Sequence, residues 1–147
     1  MKFNKTIFPD VWLIELERSA DSRGSFARTF CMREFAARSL ETAFVQHSLS
    51  YSKERGTLRG MHFQTPPHEE VKVVSCLRGT IFDVIIDIRP QSSYYGQWHG
   101  FELTGENRLQ LYIPSGFAHG FQSLSSDVEV SYLISAFYEP NAASGLR

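Results

Sequence analysis

The chain has little of what marks several large classes of protein. It holds only two cysteines, Cys31 and Cys76. They lie far apart and have no CxxC partner, so neither a disulfide framework nor cysteine-held zinc is supported, and two buried free thiols are expected. Neither sign of charge is in excess: 15 Lys and Arg stand against 16 Asp and Glu, a net charge of −1. That leaves no electrostatic footprint for nucleic acid or an anionic membrane surface. No apolar run exceeds a few residues, so no membrane-spanning helix is expected. The start, Met1-Lys2-Phe3-Asn4-Lys5, is basic but lacks a following apolar stretch. A secretory signal is therefore not expected, and the expected location is the cytoplasm. Repeats, linkers and low-complexity tracts are missing too. With 147 residues, one domain over 1–147 is expected, long enough to bury a core.

What the chain has in quantity is aromatic residues: 12 Phe, 6 Tyr and 2 Trp. Aromatic and β-branched residues fit the pleated surface of a sheet. The best helical stretch is short, residues 32–39, where Met32, Phe35 and Ala36 recur at helical spacing. Most other segments read as strands. Residues 71–77 are almost continuously apolar, Arg78-Gly79 supplies a turn, and residues 80–89 alternate. In that last stretch Phe82, Val84, Ile86 and Ile88 share one face, and Ile81, Asp83, Ile85 and Asp87 share the other. Residues 109–113 and 128–135 are further short strands, joined by connections carrying Gly, Pro, Ser and Asn. Many short, closely spaced strands predict an antiparallel sandwich or barrel, which can hold a ligand between its sheets. The Asp83/Asp87 face points either into such a barrel or to solvent, and periodicity alone leaves both open.

Chemistry concentrates in two stretches. In Gly56-Thr-Leu-Arg-Gly-Met-His-Phe-Gln64, period-2 geometry puts Gly60, His62 and Gln64 on one side of a strand. In Ile113-Pro-Ser-Gly-Phe-Ala-His-Gly-Phe121, Pro114 and Gly116 make a turn that delivers His119 onto the next strand. Both resemble cupin half-motifs. The first would supply Gly56, His62, Gln64 and Glu69, and the second Pro114, Gly116 and His119. Gln64 stands where a metal-binding cupin has its second histidine. An amide is a poor transition-metal ligand beside imidazole, so no metal is expected. Two histidines are left to act as acid or base near neutral pH. A lone strand histidine is more often a satisfied structural residue. Here His62 has Arg59, Gln64 and Lys72 for company, a polar gathering that is costly in an apolar barrel unless a ligand uses it.

The whole chain resembles the dTDP-4-dehydrorhamnose 3,5-epimerase family. The resemblance rests on Asp21-Ser-Arg-Gly-Ser-Phe26, Thr57-Leu-Arg-Gly-Met-His-Phe-Gln64, Glu70-Val-Lys72, Phe82-Asp-Val-Ile-Ile-Asp-Ile-Arg89, and Tyr112-Ile-Pro-Ser-Gly-Phe-Ala-His-Gly-Phe121, with Tyr132 and Phe137-Tyr138-Glu-Pro140 beyond. It implies an all-β fold, a cupin-type double-stranded β-helix or jelly-roll barrel with a short N-terminal helix. It also implies a cofactor-independent enzyme that epimerises a nucleotide-activated 4-keto-6-deoxyhexose. His62 would be the base, Tyr132 the acid on the opposite face, and Lys72 the cation at the C4 oxygen. Arg23, Phe26, Arg28, Gln46, Ser48, Arg59, Gln64, His119 and Tyr138 would hold the substrate. Members are homodimers, and the segment around Arg23 and Phe26 would reach into the partner's site. The chemistry fits those roles. C3 and C5 are both α to the C4 ketone, so loss of either proton gives an enolate. The enzyme needs a base at the C–H, a cation at the oxygen and a donor on the far face.

Three positions depart from the family pattern. Arg28 replaces a common nucleotide-contacting Glu, Pro140-Asn-Ala-Ala143 lacks acidic contacts, and the sequence stops at Arg147. The segment usual in the family beyond that point carries the carboxylate that orients the catalytic histidine. Asp83, or Asp87, is the candidate substitute. A mono-epimerase or ketoisomerase on a related nucleotide sugar, a nucleotide-sugar-binding protein without turnover, and a metal-dependent cupin oxygenase are the alternatives.

Overall fold

Strand-forming sequence dominates, and the computed structural model, which describes residues 1–146, is built almost wholly of strands. In chain order they are β1 (Lys2–Lys5), β2 (Trp12–Glu15), β3 (Arg18–Asp21), β4 (Gly24–Ala27), β5 (Gln46–Ser52), β6 (Leu58–Gln64), β7 (Lys72–Arg78), β8 (Thr80–Asp87), β9 (Trp98–Thr104), β10 (Gln110–Ile113), β11 (Phe117–Ser123), β12 (Val128–Ile134) and β13 (Ala143–Gly145). One helical turn, α1 (Met32–Ala36), lies between β4 and β5. The larger sheet runs β1-β2-β10-β7-β12-β5, and the smaller runs β13-β6-β11-β8-β9. Every pairing in them is antiparallel. The two sheets face each other as the walls of a cupin-type jelly roll, and β3 and β4 pair only with each other.

The helix is shorter than residues 32–39. Only Phe35 of this turn is buried, and Ser39 takes a left-handed conformation (φ 56°), which ends the helical path. Phe35 anchors a cluster on the outer face of the larger sheet. Phe3, Phe30, Phe44 and Tyr112 meet it edge-on at 4.9–6.2 Å between ring centroids. Edge-on aromatic pairs of this kind add about 1 kcal/mol each beyond area burial. Four of the chain's 12 phenylalanines thus pack this segment against the larger sheet.

The alternation in β8 resolves in the less obvious direction. Ile81, Asp83, Ile85 and Asp87 are all fully buried and point between the sheets. The uniformly apolar face of Phe82, Val84 and Ile86 lies on the outside, and Phe82 is exposed. Each buried aspartate carries its own compensation. Asp87 accepts from Arg89 (Nη2, 2.6 Å) and Ser92 (Oγ, 2.6 Å), and its carboxyl lies below the usual carboxylate range because those bonds outweigh burial. Arg89 also pairs with Asp10 and stacks over Phe117.

Between the sheets the period-2 pattern holds while its chemistry changes along the strands. On β12, Val128 and Val130 enter the apolar core; Tyr132 and Ile134 then line a cavity. On β7, Cys76 and Val74 are core and Lys72 faces the cavity. One end of the barrel is therefore packed and the other is a polar pocket. Of the two free thiols, Cys76 is buried, and burial pushes it up to about 11; Cys31 is only half-buried.

A candidate acid–base site between the sheets

The cavity has a volume of about 640 Å³ and opens between the sheet walls. From the larger sheet, β5 contributes Gln46, Ser48 and Ser50, β7 contributes Lys72, and β12 contributes Tyr132. From the smaller sheet, β6 contributes Arg59, His62 and Gln64, and β11 contributes His119. Tyr138 closes one side from the segment after β12. Nine of the residues expected at the site are thus gathered there. Arg23, Phe26 and Arg28 are not. Arg23 is 87 % exposed and bonded to Asp21, Phe26 is 73 % exposed, and Arg28 pairs with Glu34 at 3.7 Å.

Strict alternation would put Arg59 and His62 on opposite faces of β6. A register irregularity reconciles them: His119 pairs with His62, but Phe121 pairs with Arg59. An extra residue of this kind re-aims the side chains around it. Glycine makes it feasible. Gly60 has φ 116°, and a Cβ there would sit 2.5 Å from the Gly120 Cα. Arg59 is then braced by donating to Ser52 Oγ (2.9 Å) and the Tyr51 carbonyl (2.8 Å) on β5.

The two histidines are set up differently. His119 is buried and donates from Nε2 to Asp83 Oδ2 at 2.8 Å. The carboxylate orients this histidine rather than His62, so Asp83 serves the second pocket histidine; Asp87 reaches neither and is spent on Arg89 and Ser92. His62 is more exposed, and its proton affinity lies below the ordinary imidazole value. Desolvation is the main cause, followed by the fields of Lys72 and His119, with Glu70 opposing. A neutral imidazole is the form that accepts a proton. Tyr132 is pushed the other way. Burial raises its phenol above the usual value, against the hydrogen bond with Ser50 (3.2 Å), so it stays protonated. Lys72 Nζ lies 2.7 Å from Glu70 Oε1, the two side chains being 11 % and 12 % exposed.

Two expected substrate contacts have structural employment. Gln64 donates to the carbonyls of His68 (2.9 Å) and Phe137 (3.2 Å) and accepts from the Glu139 N–H (2.7 Å). Gln46 accepts from the Tyr138 N–H at 2.6 Å. Together they clamp the segment that carries Tyr138. Glu69, the last member of the first cupin half-motif, is exposed, and among the described residues no group of three His, Cys, Asp or Glu side chains fits a metal ion. Sequence reading missed Ser50 and Glu70. Both were accessible by period 2: Ser50 follows Gln46 and Ser48, and Glu70 precedes Lys72 by two.

A jelly-roll cavity that holds a histidine of lowered and a tyrosine of raised proton affinity on opposed walls can move protons across a bound ligand, the chemistry of cupin-type isomerases. The particular family follows from comparison. The model of the family described as dTDP-4-dehydrorhamnose 3,5-epimerase matches residues 5–147. The enzyme of that name from Methanothermobacter thermautotrophicus is 43 % identical over 99 % of this chain and 77 % of its own. The crystal structure of the Bacillus anthracis enzyme, with TDP and PPi bound, superposes with a TM-score of 0.96 at 37 % identity, covering 99 % of this chain and 83 % of that one. The Legionella pneumophila 3,5-epimerase, in complex with dTDP-4-keto-L-rhamnose, gives 0.94 at 36 % identity, covering 99 % and 77 %. The chain belongs to the dTDP-4-dehydrorhamnose 3,5-epimerase family.

Proposed function

We propose that this chain epimerises dTDP-4-dehydro-6-deoxyglucose at C3 and C5, acting as one domain over residues 1–147. The observation that carries the reading is the placement of His62 and Tyr132 on opposed sheets of one cavity, one with lowered and the other with raised proton affinity. Inversion at carbon needs removal of a proton from one face and delivery to the other, and opposed walls supply the two faces. His62 takes the proton α to the C4 ketone. Lys72 meets the charge that grows on the C4 oxygen, where a compact ammonium in a desolvated wall is most effective. Tyr132 returns a proton to the far face. His119, Ser48 and Tyr138 position the sugar, and Arg59 takes the pyrophosphate. The substrate's own ketone acidifies the C–H, so this route draws on no cofactor.

The same reading makes the protein a cytoplasmic homodimer. The β3–β4 hairpin holds Arg23 and Phe26 exposed and away from its own cavity, with Arg28 just beyond it. Entry of this hairpin into the cavity of a second copy would bring the three residues to the substrate. The first test is incubation with dTDP-4-keto-6-deoxyglucose in deuterated water, following the C3 and C5 protons by NMR. Exchange at both carbons that falls about 1000-fold in His62→Ala is the expected result. Exchange at one carbon would replace the reading with a mono-epimerase, and exchange undiminished in His62→Ala would remove His62 as the base.

A further inference from the structure

We propose that Glu70 is a positioning residue of this site: its carboxylate holds the Lys72 ammonium in the cavity wall and offsets that ammonium's field at His62, so that a base and a cation can work in one pocket. The proposal rests on the reading of His62 and Lys72 given above. Its basis is geometric. Glu70 lines the cavity and meets Lys72 at 2.7 Å, and both side chains are nearly excluded from solvent. An ion pair buried this far repays its desolvation only with good geometry, and removing one partner leaves an uncompensated charge. A carboxylate also repels the diphosphate that the pocket is meant to receive. Its presence there calls for a compensating role.

That role is visible from His62. The charged and titratable groups that line the cavity with it are Lys72 on β7, Glu70 in the segment before β7, His119 on β11, Tyr132 on β12, Tyr138 in the segment after β12 and Arg59 on its own strand; β5 and β13 bring only uncharged residues to the cavity. Lys72 and His119 depress proton binding at His62, and Glu70 favours it. An unopposed ammonium would stabilise the enolate but weaken the base that forms it. A carboxylate bonded to the ammonium lessens that conflict, because from His62 the pair is a dipole instead of a full charge. It also fixes Nζ, which otherwise ends a flexible four-carbon stem.

The test uses the full chain with labelled histidines, and His62→Ala to assign the His62 signal. In Glu70→Gln, the His62 titration is expected to move to lower pH and the acid limb of the rate profile to follow it. Turnover should fall about tenfold, with KM within about twofold, the pattern of an interaction made mainly in the transition state. Glu70→Asp keeps the charge with a shorter reach, so the titration should stay while turnover falls. An unchanged His62 titration in Glu70→Gln, or full turnover in Glu70→Asp, overturns the proposal. If Glu70→Gln does not fold, Lys72→Gln compared with Lys72→Gln/Glu70→Gln reads the Glu70 coupling, since the carboxylate kept in the first must hold the His62 titration at higher pH than in the second, and equal titrations overturn the proposal. Failure of the base assignment would show separately, as turnover surviving in His62→Ala.

Discussion

At the cavity, Lys72 and His119 in its wall and Asp83 behind His119 are buried, and each is held by a charged or polar neighbour. On the β3–β4 hairpin, every side chain except the half-buried Ala27 is exposed, and Arg23 pairs only with Asp21 two residues away. The contrast separates two requirements of one reaction. Acid–base groups must be fixed before the substrate arrives, because reorganising them costs energy at the moment of proton transfer. Groups that grip the unreactive end of a substrate can wait for it. An isolated two-stranded ribbon is marginal on its own, and an exposed phenylalanine on it gains nothing until something covers it. On this view cavity substitutions should act on turnover, and hairpin substitutions on affinity.

The sharpest break in that contrast would come from Tyr132→Phe. The phenol reaches Ser50 Oγ at 3.2 Å and is otherwise buried, so its loss removes the donor with little change in shape. Proton removal by His62 should continue and appear as deuterium uptake at C3 and C5. Inverted product should fall about 1000-fold, read from the ring proton couplings. Uptake and inversion lost together would mean that Tyr132 is not a separate far-face acid.

A smaller effect is expected from Asp83→Asn. The side chain is fully buried and accepts from His119 Nε2 at 2.8 Å, and its Oδ1 is buried without a partner among the described residues. An amide of the same shape keeps an acceptor for His119 but brings two buried N–H donors. A loss of roughly 2 kcal/mol in unfolding free energy is expected, measured by denaturant titration. Turnover should drop about 100-fold, because a neutral amide holds and orients the His119 imidazole less firmly than a carboxylate. A stable variant with full turnover would show that the cavity is less preorganised than its hydrogen bonds suggest.

The sequence made the barrel legible because its strands alternate and its turns carry glycine and proline where the backbone needs them, as at Gly116 (φ 80°). It made β8 ambiguous because the inward face is the one with aspartates, and no pattern of polarity alone reveals that Arg89 and His119 wait to receive them. The β6 irregularity was illegible for a different reason. It depends on Gly60 pressing against Gly120 from another strand, a contact between residues far apart in the chain. The short motifs around His62 and His119 pointed to the cavity, Lys72 came with them as a polar neighbour of His62, and family resemblance added Tyr132. Neither showed that Gln46 and Gln64 are spent on clamping the Tyr138 segment, since that follows from backbone groups the sequence does not display.

The smallest effect belongs to the hairpin, and it decides where the hairpin acts. Arg23→Ala and Phe26→Ala should each raise KM about tenfold with turnover within about twofold, because they touch binding and not the reacting carbon. A mixing experiment then tests the partner's role. His62→Ala has a dead cavity and a sound hairpin; Arg23→Ala has a sound cavity and a weak hairpin. In a mixed dimer whose hairpins cross over, the sound cavity receives the sound hairpin, and one site per dimer is restored. At substrate well below KM, the mixture should therefore exceed the sum of the two variants several-fold. If each hairpin served its own cavity, no such site would form, and the mixture would only average its parts. The exposed Phe26 would then need a different explanation from the one its distance from the cavity suggests.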